Sequence, residues 1–280
     1  MPPILSAIWT FACTGLFALA GSGLIYAQPA DALLGIRLSP DIKAIVKEIE
    51  TKTGAKIRSE FIKQTDSLLA SSYIDDDGSA VVMVDFSVKN DAKKLEAIIV
   101  HELLHLGLRV SNYPTFIFSP SVRMAKGRAI DTEQDNINDL KDLIEHRVFK
   151  ADMERFGVYK FIDLAGDTAA GARKRTGQMD GQVDAINYVR AILEYQNQSD
   201  VNEVKRIYQA NGWTRSLQLG QNIAEIISRA GPQTPKDVEA VFLSCLLKMY
   251  PTQRGGIAFT LTIDKSNKFF QRLLINTVKR

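Results

Sequence analysis

Leu95-Glu96-Ala97-Ile98-Ile99-Val100-His101-Glu102-Leu103-Leu104-His105-Leu106-Gly107-Leu108 is the stretch on which the reading of this chain turns. Its apolar residues fall on almost every side of a helix, which predicts a buried helix rather than a surface one. Asn90-Asp91 supplies the N-cap, and the helix is expected to run to about Arg109. His101, Glu102 and His105 are set into this apolar surface, where ionisable groups are costly unless partnered. Residues four apart stand one turn apart on one face, so both imidazoles can reach a single ion. Glu102 is turned about 100° from His101 and is placed to reach a water on that ion instead. The pattern His-Glu-x-x-His therefore offers two metal ligands and a general base. With a zinc ion in place, Glu102 would take a proton from that water and return it to a leaving amine.

A catalytic zinc site needs a third protein ligand and one open position. Downstream, a second long helix is expected over 131–155, stopped at Gly157. Ile137, Leu140, Ile144 and Val148 form its apolar stripe, read as the inward face. Glu145, forty residues after His105, borders that stripe, and Asn138 lies on the same side one heptad earlier. The expected metal ligands are thus His101, His105 and Glu145, with Glu102 as catalytic base and Zn2+ as cofactor. His146, the only other histidine, is the rival ligand and points about 100° further from the stripe. Glu133, Asp139 and Asp142 on the same helix carry ligand chemistry too. For the oxyanion, Tyr113, Tyr159 and His146 are candidates among which the sequence does not select.

Upstream, Ser39-Pro40-Asp41 opens a helix carrying Ile42, Ile45, Val46 and Ile49, which Gly54 ends. Residues 56–62 read as a strand. Residues 71–74 and 79–86 flank Asp75-Asp76-Asp77-Gly78 and read as a hairpin, with 80–86 rich in β-branched side chains. A loop with Pro114 and Pro120 follows the motif helix. Beyond it the periodicity is mostly helical, at 183–195, 201–210, 217–227 and 235–249, with one late strand at 256–263. The fold class expected is α+β: a small mixed sheet with the active-site helix, then a mainly helical lobe. The domains expected are 1–32, a signal peptide or membrane anchor; 33–157, the catalytic region; and 158–280, the helical lobe.

The order of strand, Asp-Gly turn, strand, His-Glu-x-x-His helix and second helix bearing a glutamate resembles the zincin metallopeptidases, specifically the gluzincin branch. The resemblance covers about residues 56–155. It implies a zinc peptidase acting on a protein or peptide substrate. It also implies that the strand before the motif helix, 79–86, is a sheet edge pairing with extended substrate. The metzincin extension is absent, because Leu108 and Ser111 stand where glycine and a third histidine would. One departure from the gluzincin pattern is Phe149, four residues after Glu145, in place of an aspartate that would orient a zinc histidine.

The net charge of +3 comes from Lys and Arg spread along the chain, which argues against a nucleic-acid surface. The two cysteines, Cys13 and Cys245, provide no cysteine metal site. From Met1 to Ala30 no side chain is charged, and residues 4–27 are nearly continuously apolar, long enough to span a bilayer or to act as a secretory signal. The protein is therefore expected outside the cytoplasm: secreted, periplasmic or anchored at the membrane. Two competing readings are a membrane-anchored metal-binding regulatory protein with little hydrolytic activity, and a structural exported protein without metal.

Overall fold

The computed structural model describes residues 32–63, 69–75, 77–122, 130–165, 168–174, 181–250, 257–266 and 269–279. The apolar N-terminal segment, Asp76 of the expected turn and Gly256 of the expected late strand lie outside the described residues. The described residues are mixed α/β, 60% of them helical, with sheets of two or three strands.

A short antiparallel ribbon, β1 (Ala32–Leu33) and β2 (Ile36–Arg37), leads into α1 (Pro40–Thr53). Ser39 caps α1 by accepting from the Ile42 N–H, and Gly54 closes it at φ 73°. Then come β3 (Arg58–Ile62), β4 (Ala70–Ile74) and β5 (Ala80–Asp85), a sheet of order β3-β5-β4. The hairpin is present: β4 and β5 pair antiparallel, and Gly78 turns the chain at φ 88°. β3 pairs parallel to β5. The strand before the motif helix is therefore central, not an edge, which corrects the expectation for 79–86. Its run of Ala80, Val81, Val82 and Val84, all buried, is what a strand flanked on both sides requires. The edges are β3 and β4.

The motif helix is α2 (Ala92–Val110), capped by Asp91 through the Lys94 N–H. The helix expected at 131–155 is two helices, α3 (Ile130–Val148) and α4 (Lys150–Phe156), parted at Phe149. The remaining helices are α5 (Thr168–Lys174), α6 (Gly181–Glu194), α7 (Gln198–Ala210), α8 (Thr214–Ala230) and α9 (Pro235–Met249). Thr234 caps α9 in a capping box with Asp237. A second sheet has the order β6-β8-β7, from β6 (Thr115–Phe118), β7 (Ile257–Ile263) and β8 (Arg272–Lys279). Only β7 was expected. The four-residue β6 sits between two prolines and pairs parallel with a strand at the far end of the chain.

Two large apolar clusters form. The first joins α1, α2 and the first sheet, and takes in Phe149, Met153, Val158 and Ile162. The second gathers Phe116 and Phe118 of β6 with Ile137, Leu140, Leu143 and Ile144 of α3, and packs them on α6, α8, α9 and β8. Helix α3 thus gives its apolar stripe to the second core and its opposite side to α2. Cys245 is buried in the second core, and burial pushes its thiol up to about 12. Among the described residues no helix is long and apolar enough to cross a membrane.

Helices α6 and α8 cross closely at Gly220, where a Cβ would stand 2.8 Å from the Ala185 carbonyl oxygen and 2.9 Å from Tyr188 Cδ1. Alanine has the better helix propensity by about 1 kcal/mol, but here overpacking outweighs it. Gly220→Ala is expected to lower the unfolding free energy by about 1–3 kcal/mol in urea titration. A variant as stable as the parent would mean that the crossing is looser than described.

Candidate metal centre

Helix α3 lies against α2 with its polar side. At about 100° per residue, Asp142 and His146 fall opposite the Ile137–Leu140–Ile144 stripe, Lys141 and Glu145 border it, and Phe149 follows the end of the helix. The structure brings one ring nitrogen from each of His101, His105 and His146 within 4.8 Å of the others. This group could hold a metal ion. His101 Nε2 and His146 Nε2 are 2.9 Å apart. Tetrahedral zinc with bonds of about 2.0–2.1 Å sets its ligand nitrogens roughly 3.3 Å apart, so small ring movements suffice.

Each imidazole turns its other nitrogen to a carboxylate. His101 Nδ1 is 3.1 Å from Glu102 Oε1, His105 Nδ1 is 2.6 Å from Glu145 Oε2, and His146 Nδ1 is 3.1 Å from Glu194 Oε1. For each of the three acids burial alone would favour the neutral form. Histidine contacts outweigh that at Glu102 and Glu194; at Glu145 the Lys141 charge acts first and His105 adds to it. Glu102 is held at about 2. An ionised carboxylate only accepts, so each ring donates from Nδ1 and has Nε2 left to meet a metal or a second proton. At 2.9 Å the His101 and His146 Nε2 atoms need a proton or a metal cation between them. Glu145 Oε1 and Glu194 Oε2 are moreover buried without a hydrogen-bond partner, adding negative charge that a cation would offset. The donor set fits a divalent metal.

Glu145 falls with His105 and Asp142 in a neighbouring group, not with the three histidines. That group already holds a cation: the Lys141 ammonium is 2.8 Å from Asp142 Oδ1 and 3.3 Å from Glu145 Oε2. Glu145 thus meets His105 from the side away from His101 and His146, in a second group of ligand type, His105, Asp142 and Glu145, that could also hold a metal ion. The expectation took the apolar stripe of α3 as the side facing α2, and that stripe faces the other way. Phe149, where an aspartate was the pattern, is instead an aromatic wall, with its ring centroid 6.2, 5.0 and 5.5 Å from those of His101, His105 and His146.

The other candidates lie elsewhere. Asp139 pairs with Arg190, Asn138 accepts from Gln134, and Glu133 accepts from Tyr250 and Asn136. The Tyr113 hydroxyl donates to the Gln233 carbonyl. Tyr159 lines a cavity of about 380 Å³ together with Glu194, and burial raises its hydroxyl pKa so that it stays protonated. Glu194, the last residue of α6, has no sequence signal at all: it ends a helix without a motif, far from the histidines in the chain.

No family model matches the chain, and no curated protein or solved structure was found to be similar to it. The fold and the site define a mixed α/β protein with a three-histidine group suited to a metal ion. What the site does is argued from its own chemistry.

Proposed function

We propose that the chain is a zinc-dependent peptidase of zincin type, acting outside the cytoplasm, with His101, His105 and His146 as ligands and Glu102 as general base. The observation that carries this reading is the gathering of one ring nitrogen from each of three histidines, every ring with a carboxylate on its Nδ1, beside the carboxylate of a His-Glu-x-x-His helix. Zinc held there supplies a Lewis acid that polarises a peptide carbonyl and makes water acidic near neutral pH.

The protein's own groups supply the rest. Glu102 is anchored through Oε1 on His101 Nδ1 and has a second oxygen with which to take the proton and return it to the leaving amine. The His101 side chain is 14% exposed against 7% for His105 and His146, so substrate approaches from the His101 side. Phe149 and the apolar face of α2 keep the opposite side dry, which strengthens each charge interaction within.

An extended peptide has an edge to pair with, and that edge is β4. Hydrogen bonds from Asp75 N–H to Ser79 and from Asp85 N–H to Leu69 fix the ladder, so the backbone groups of Ala70 and Ile74 point outward, while the Ser72 carbonyl is taken by Arg109. β4 is tied to the motif helix at Ser72, whose hydroxyl donates to the Glu102 carbonyl and whose own carbonyl accepts from Arg109. A cleavage assay on unstructured peptides, with and without chelator, tests the reading. Chelation should abolish cleavage and added zinc should restore it; cleavage indifferent to chelator would count against it.

A further inference from the structure

The third histidine is held by a residue from a different layer of the molecule, and we propose that Glu194 is a positioning residue through which α6 sets the metal affinity of the site. This inference rests on the zinc reading above and adds to it a residue that neither the motif nor the second helix contains. Glu194 ends α6, which packs on α3 and α8 within the C-terminal part of the chain. Its Oε1 lies 3.1 Å from His146 Nδ1, and the residue is 3% exposed. A buried carboxylate accepting from Nδ1–H fixes which nitrogen carries the proton, fixes the ring plane, and raises the basicity of Nε2. His101 and His105 are aimed by acids of α2 and α3 themselves, from the two helices that carry the histidines. For His146 the acid comes from α6 alone. The C-terminal helices are therefore part of the metal centre, and displacement of the end of α6 would free His146 to turn.

The chain continues from Glu194 into Tyr195, Gln196 and Asn197, which line the cavity shared with Tyr159. Asp200 lines the same cavity without a bond to His146, so it serves as a control.

The test uses the full chain and zinc alone as probe, in competition with a chromophoric chelator, together with long-range 15N–1H spectra of the histidine rings. Glu194→Leu is expected to weaken zinc binding by about 10- to 100-fold, as loss of an outer-shell carboxylate does. Before zinc is added, it should also move the His146 proton from Nδ1 towards Nε2. Glu194→Gln keeps the shape and an acceptor oxygen but not the charge; it should lose roughly threefold to tenfold and mix the two tautomers. Asp200→Ala should leave both readings unchanged. If Glu194→Leu does not fold, Glu194→Gln decides alone. Zinc affinity within about twofold of the parent, with the His146 tautomer unmoved in Glu194→Gln, would overturn the proposal. A parent chain that takes up no zinc would instead remove the functional reading, while the tautomer spectra still judge the Glu194 contact.

Discussion

Glu102→Gln is expected to slow peptide cleavage by a factor of about 100 to 10,000 while zinc remains bound. The substitution removes basicity and little else. Glutamine is the same size, fits the same buried position on α2, and keeps a carbonyl oxygen to accept from His101 Nδ1, so the ring stays oriented. What is lost is the ability to take a proton from water and pass it on. Single-turnover cleavage and zinc content, measured on one preparation, separate the two effects. A variant that cleaves at the parent rate would remove Glu102 from the mechanism. A parent that binds zinc tightly yet cleaves nothing would favour the competing reading, a metal-keeping binding or regulatory protein.

The second large effect concerns the third ligand. His146→Ala leaves zinc with His101 and His105 only, too few for a stable site, and is expected to weaken binding by more than about 100-fold. Glu145→Ala removes the acceptor behind His105 and leaves the Lys141 ammonium with Asp142 alone. It should cost less, on the order of 10- to 100-fold. Zinc titration of the two variants gives the order. If Glu145→Ala empties the site and His146→Ala does not, the ligand set becomes two histidines and a carboxylate, as the sequence pattern suggests.

Much of the first half of the chain is legible from sequence because its signals are local. The Ser39-Pro40 start, the Gly78 turn and the Asp91 cap each act within a few residues, and each has its expected role. His101 and His105 need only helical spacing to come together. The third position required knowing which side of α3 meets α2, and periodicity reports only which side is apolar. Since α3 is covered on both sides, its apolar stripe marked the second core and its polar side marked the site. Strand β6 escaped notice for a similar reason: a four-residue strand between prolines becomes one only by pairing with β8. Glu194 is the extreme case, because nothing about the end of a helix announces a histidine on another.

The most direct test of the three-histidine centre is X-ray absorption at the zinc edge on the full chain after equilibration with one equivalent of zinc. The account predicts one zinc per chain with three imidazole nitrogens at about 2.0–2.1 Å and one further light-atom ligand. In His146→Ala the tightly held zinc and one imidazole should disappear together. A spectrum with two imidazoles and a protein carboxylate, unchanged by His146→Ala, would contradict it, and so would a chain that holds no zinc.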